Sequence, residues 1–300
     1  MGKNKNIKCA PSKKFTDGSC FSYNALKKIA SAYNNKKPQV SIDTTLPKEQ
    51  LVNQITDVLK NKCDDQVCWL RDSIIKNIND EEILNNTFLP EGPKGKYEWL
   101  STIDINDVLK QYHSKYSDFI FLGAVPYDFL ELPILGLHHN DIFETYHEKN
   151  KTKLGLIINL DTHNLPGSHW VALYCDLNNH HIYFFDSVGK KPGKRIRKFI
   201  NRIVKYIYAK KNPKKTLDIN NVIKSIKNNK TENNQDIQKL NEIDIRYNYI
   251  QHQFADSECG VYSINFIVQL LDGFTFDDII TNITKDEEMN KKRGEIFVNV

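Results

Sequence analysis

At 300 residues, with 40% hydrophobic and 26% charged residues, the chain has a globular composition and is long enough for one large domain or a domain with an appendage. Its 42 Lys and Arg against 37 Asp and Glu leave a net charge of +5, too mild an excess to argue for a nucleic-acid partner by itself. Six cysteines are too few for a disulfide scaffold, so reduced thiols and a reducing compartment are expected. The start, Met1 to Asn6, has positive charge but no apolar run behind it, and no window approaches a membrane span. A soluble, unsecreted protein without membrane contact is the expectation.

The first element is a helix within Ser19 to Tyr33, with Ser22 placed to cap it. A second runs from Leu46 to Leu59, with Thr45 as its cap and Pro47 in its first turn, and a third, shorter one lies near Val67 to Ile78. These make a helical arm over residues 1–85. The stretch from Asn85 to Gly95, rich in Pro and Gly, joins it to a core over residues 86–300. Cys9, Cys20, Cys63 and Cys68 all fall in the arm, at spacings unlike those of familiar zinc folds. Two short helices around a polar loop resemble helix–loop–helix modules of the SAP type. That resemblance implies a weak DNA or scaffold anchor using Lys27, Lys28, Lys36 and Lys37; the alternative is a packing arm with solvated lysines.

In the core, Ile105, Val108, Leu109 and Tyr112 share a helical face, with Thr102 or Asp104 as the cap. Phe119 to Val125 and Leu154 to Leu160 read as buried strands. His169 to Asp176 and His181 to Asp186 read as a hairpin turning at Asn178 and Asn179. Lys194 to Lys210 is amphipathic, with Ile196, Phe199, Ile200, Ile203, Val204 and Ile207 inward. Residues 211–242 look like an insertion with a weak helix near 219–226, and Ile243 to Ile250 reads as a strand. The pattern is α+β, a central mixed sheet wrapped by helices.

The polar loop Gln253 to Glu258 ends in Cys259 and Gly260 and opens into the apolar helix Val261 to Leu271. A thiol there meets unpaired backbone N–H groups and the positive end of the helix dipole, which favour thiolate. Alone, Cys259 also reads as a small buried residue of no chemical consequence. The hairpin changes that. With the turn at Asn178 and Asn179, Val171 lies opposite Asp186, Leu173 opposite Phe184 and Cys175 opposite Ile182. His169 then stands at the same end as Asp186. A carboxylate fixes the imidazole tautomer, and the imidazole can take the thiol proton.

Ser168-His169-Trp170-Val171-Ala172, then Phe184-Phe185-Asp186-Ser187, then Gln253 six positions before Cys259-Gly260-Val261-Tyr262 resemble the superfamily of SUMO-specific and adenovirus-type cysteine proteases. The resemblance covers roughly residues 95–300. It implies that His169 is the general base, Asp186 its orienting carboxylate, Cys259 the nucleophile and Gln253 the oxyanion-hole amide, with no metal or organic cofactor. Trp99 and Trp170 resemble the two tryptophans that enclose an extended Gly-Gly segment. One departure stands out: the family's Trp-Leu-Asn-Asp is Trp99-Leu100-Ser101-Thr102 here, which removes a carboxylate used to hold a ubiquitin-like partner. With the helical arm, this resembles the large-DNA-virus branch, including the African swine fever virus type. The implied function is cleavage after Gly-Gly motifs in viral capsid or core precursors, in the host cytoplasm and the virion. The alternatives are an isopeptidase acting on SUMO or ubiquitin-like modifiers, and a DNA- or scaffold-binding factor working through the arm.

Overall fold

The computed structural model describes residues 8–211 and 242–298. The helix expected over 219–226 lies outside them. The chain divides into two compact units, one holding the residues up to Lys96 with Lys110–Lys115 and Lys292 onward, the other Tyr97–Leu109 and Tyr116–Lys291.

The first unit is helical. α1 (Tyr23–Lys36) begins where expected: Ser22 accepts the N–H of Ala25. α2 (Lys48–Leu59) starts after Pro47 rather than on a Thr45 cap, because Thr45 gives its N–H and hydroxyl to Asp43 instead. The helix expected near 67–78 is two single turns, α3 (Gln66–Trp69) and α4 (Ser73–Lys76). Asp65 and Asp72 each cap a new start, and an aspartate that bonds nearby N–H groups interrupts a helix. α5 (Glu81–Asn85) follows. Phe21, Leu26, Ile29, Leu51, Ile55 and Trp69 form the core, with Phe21 stacked on Trp69. Each such side chain contributes about 1.5–3 kcal/mol by leaving water. Lys28 pairs with Asp80, and Lys27 lies 4.3 Å from the centre of the Tyr23 ring.

The cysteines of this unit correct the expectation of reduced thiols. Cys9 is joined to Cys20 and Cys63 to Cys68, each pair with Cα atoms 5.4 Å apart, within ordinary disulfide reach. Spacings of eleven and five residues show nothing of the folds that bring the partners together. Cys175 and Cys259 are free and buried.

The second unit is built on a five-stranded mixed sheet in the order β1 (Phe119–Val125), β2 (Lys153–Asn159), β3 (Trp170–Asp176), β4 (His181–Phe185), β5 (Asp244–Tyr247). The outer pairs, β1 with β2 and β4 with β5, are parallel; the inner pairs are antiparallel. In the β3–β4 hairpin, Leu173 faces Phe184 and Cys175 faces Ile182, the register that alternation predicts. The turn holds because Asp176 accepts the N–H groups of both Asn178 and Asn179. α6 (Thr102–Lys115) is capped by Ser101 rather than by Thr102 or Asp104: the Ser101 hydroxyl accepts the Asp104 N–H, and the Asp104 carboxylate accepts the Ser101 N–H. α7 (Ile142–Glu148) occupies a stretch whose sequence signals are mixed.

β3 is buried on both sides, which explains its unbroken apolar run. On one face Val171, Leu173, Ile182 and Phe184 pack with α8 (Lys194–Lys211) through Ile196, Phe199, Ile200, Ile203, Val204 and Ile207, the six inward residues expected. The other face is covered by α9 (Cys259–Leu271): Phe185 stacks on Phe266 at 4.8 Å, and the Ser263 hydroxyl donates to the Trp170 carbonyl. α10 (Phe276–Thr281) and α11 (Asp286–Ile296) follow. No helix among the described residues is long and apolar enough to cross a membrane.

Candidate active site

His169 sits just ahead of β3 and Asp186 just beyond β4, so the hairpin register brings them together. The His169 Nε2 is 2.7 Å from the Asp186 Oδ1. With that nitrogen engaged, Nδ1 is left for the thiol, and Cys259 is close enough to help raise the imidazole pKa. Cys259 is the first residue of α9, two positions before the expected start. The preceding Glu258 makes no side-chain cap, so the first-turn N–H groups remain available to an anion.

Burial alone would depress the imidazole pKa. Hydrogen bonds to Asp186 and Cys259, with the charges on both, outweigh it and raise His169 from 6.5 to about 9. Near neutral pH the imidazole is therefore protonated beside the sulfur, the arrangement that a thiolate nucleophile requires.

Asp186 is buried, and its own carboxylate oxygen accepts the N–H of Val188. Its backbone is gripped by the wholly buried Asn248: the Asn248 Oδ1 accepts the Asp186 N–H at 2.8 Å, and Nδ2 donates to the Asp186 carbonyl at 2.7 Å. Gln253 is also buried. The Ser187 hydroxyl donates to its Oε1 at 2.6 Å, and its Nε2 donates to the Ala255 carbonyl. A primary amide has two N–H bonds, so one remains for a substrate oxygen. Two further supports hold the Gln253 to Glu258 loop. The Asp286 carboxylate accepts the N–H groups of Phe254 and Ala255, each at 2.9 Å, and the buried Glu258 accepts from Ser257 and Asn290.

Asn248, Ser187 and Asp286 are absent from the sequence-based site. Asn248 follows β5, whose pairing to β4 only the fold reveals, and Ser187 is recognisable only as the neighbour of Asp186.

Trp99 and Trp170 line one cleft of about 500 Å³, together with Asn159, Asp161, His163 and Leu165. Trp99 is exposed. Trp170 is buried and donates its indole N–H to the Leu100 carbonyl at 2.9 Å. Gly260 lets this segment approach: a Cβ there would stand 3.0 Å from that of Leu100, tighter than nearly all real Cβ contacts, so Leu100 would have to give way. The cleft reaches Trp170, beside His169, but its walls do not include Cys259, which is 2% exposed. His163 carries a second histidine–carboxylate pair, its Nδ1 2.6 Å from the Asp128 Oδ2. Among the described residues, no three His, Cys, Asp or Glu side chains group as metal ligands.

Comparison with known proteins bears on the family of the chain. The chain is 31% identical to a candidate thiol protease of Acanthamoeba polyphaga mimivirus, over 94% of this chain and 90% of that one. It is 22% identical to a cysteine protease of African swine fever virus, over 91% of this chain and 98% of the relative. The crystal structure of an African swine fever virus protease superposes with a TM-score of 0.62 at 20% identity, covering 98% of this chain and 96% of the other, a likeness of fold. The profile of the Ulp1 protease family, C-terminal catalytic domain, matches residues 143–300. The chain belongs to the Ulp1 protease family and is a cysteine-type peptidase.

Proposed function

We propose that this peptidase is a thiol endopeptidase that cleaves after Gly-Gly motifs in structural precursor proteins of a large DNA virus. The observation that carries the reading is His169, held at 2.7 Å by Asp186, with Cys259 beside it at the start of α9 helping to raise the imidazole pKa. The Cys259 thiolate attacks the scissile carbonyl carbon and forms a C–S bond. The displaced electron pair moves onto the carbonyl oxygen, where the free Gln253 N–H and the Cys259 backbone N–H stabilise it. His169 gives its proton to the leaving amine as the C–N bond breaks, and then takes a proton from the water that hydrolyses the thioester.

The cleft bounded by Trp99 and Trp170 supports a Gly-Gly preference, because only residues without side chains pass closely between aromatic walls. The matched relatives are viral thiol and cysteine proteases; the proposal adds to that a viral structural substrate and action in the host cytoplasmic factory and the virion. Residues 1–85 then form an arm and residues 86–300 the catalytic core, with 211–242 an insertion in it.

The test incubates wild type and Cys259→Ala with a viral precursor containing Gly-Gly, and separately with a SUMO-type isopeptide conjugate, and identifies products by mass spectrometry. The expected result is a precursor fragment ending in Gly-Gly, formed only by wild type. Release of the modifier with the precursor intact would instead establish an isopeptidase. Cleavage by Cys259→Ala would remove the nucleophile assignment.

A further inference from the structure

The positive charge of this chain is concentrated in one helix. α8 carries eight Lys and Arg residues and no acid. Since the whole chain carries +5, all residues outside α8 together carry a net −3. The apolar stripe of α8 is spent on the sheet. Its outer side bounds a groove of about 790 Å³ lined by Lys194, Arg195, Arg197, Lys198, Arg202 and Lys205, with Glu131 the one acid in its walls. This groove shares no residue with the cleft at Trp99 and Trp170, and α8 packs on the sheet face opposite α9.

The arginines are committed to building the groove. Arg195 forks onto Glu131 through two bonds of 2.9 Å and lies over the Tyr127 ring. Arg197 donates to the Pro192 carbonyl at 2.8 Å, and Arg202 donates to the carbonyls of Leu137 and His139 while covering Phe143 and Phe199. Carbonyls do not cancel charge, so Arg197 and Arg202 leave a fixed positive background. Lys194, Lys198 and Lys205 are exposed and have no ion pair or hydrogen bond among the described residues. They recur at i, i+4 and i+11, one side of the helix over about 16 Å.

We propose that this groove binds the phosphodiester backbone of nucleic acid without reading its sequence. A row of free ammonium groups neutralises successive phosphates as point charges, with no demand on ligand geometry. The row is longer than one phosphate, and the one carboxylate in the groove, Glu131, is already held by Arg195 through two hydrogen bonds. Recognition of an acidic protein would call for a buried apolar anchor, and the groove provides none: Tyr127 is half-buried under Arg195. This contact is separate from the one expected on the helical arm, where Lys28 is paired with Asp80 and Lys27, Lys36 and Lys37 are the lysines to compare.

The test measures fluorescence anisotropy of a labelled duplex of roughly 20 base pairs with the full chain, between about 50 and 200 mM salt. Three phosphate contacts predict a log–log salt slope of about −2.7, and hence about a 40-fold loss of affinity over that range. Lys194→Gln, Lys198→Gln and Lys205→Gln combined should flatten the slope and abolish binding at the higher salt. The far-UV spectrum and Gly-Gly cleavage should be unchanged, because Gln sustains a helix about as well as Lys. Combined Lys27→Gln, Lys36→Gln and Lys37→Gln should bind as wild type. The proposal is overturned by absence of binding at the lowest salt, by an unchanged slope in the α8 variant, or by loss confined to the arm variant. Equally salt-sensitive binding of polyglutamate overturns it too, since carboxylates would then suffice.

Discussion

Asn248 holds Asp186 by its peptide rather than by its carboxylate, accepting from its N–H at 2.8 Å and donating to its carbonyl at 2.7 Å. This leaves the Asp186 carboxylate free to face His169 while fixing where it stands. Asn248→Ala would strand both backbone groups in a buried site. We expect a loss of about 2–4 kcal/mol in urea unfolding, with kcat falling more than KM rises in the protein that remains folded. An unchanged unfolding midpoint would show that water replaces the clamp at no cost.

The pH dependence follows from His169, whose pKa rises from 6.5 to about 9 in the folded site. A raised pKa means that the folded state binds the proton more tightly than the unfolded state does. The associated stability is fully present below about 6.5 and is lost as pH rises through about 9. Activity that needs the imidazolium should have its alkaline limb near 9. Asp186→Asn keeps an acceptor for Nε2 but removes the charge. It should move that limb downward and lower kcat/KM by about 10²–10⁴-fold. A limb that stays near 9 in Asp186→Asn would assign the rise to another group.

Gln253 has one N–H committed to Ala255 and one free. Gln253→Glu keeps the acceptor for Ser187 but removes both N–H donors, so kcat should fall about 10²–10³-fold with little change in KM. Ser187→Ala frees the amide to rotate, and a loss of a few-fold is expected. Steady-state kinetics of the two variants separates donation to the substrate from orientation of the donor.

Trp99 is exposed, whereas Trp170 is buried and bonded to Leu100. Trp99→Ala should therefore raise KM for a Gly-Gly peptide with an unchanged melting temperature. Trp170→Phe deletes the bond to Leu100 and should lower stability by about 1 kcal/mol as well. Thermal unfolding and kinetics on the same preparations distinguish these outcomes.

The two disulfides make a chemical prediction. Alkylation of the denatured, unreduced protein should modify two cysteines, Cys175 and Cys259, and prior reduction should expose four more. Labelling of all six without reduction would mean that the pairs are thiols in solution.

What the sequence determined by itself was whatever has a local period or a fixed offset. β1 is Phe119–Val125, as its apolar run predicts, and the inward side of α8 follows from its 3.6-residue repeat. The hairpin register follows from two residues per pleat and one turn, and it is enough to set His169 beside Asp186. The tertiary structure decided what depends on distant partners. Thr45 could cap α2 by sequence, but the Asp43 carboxylate competes for it. Cys9 and Cys20 become partners, and Asn248 becomes the keeper of Asp186, because the chain folds back over eleven and sixty-two positions respectively. Periodicity records which face of an element is buried. It carries no information about which remote side chain satisfies a buried peptide, and that pairing, made only when the sheet closes, is what fixes the geometry of this site.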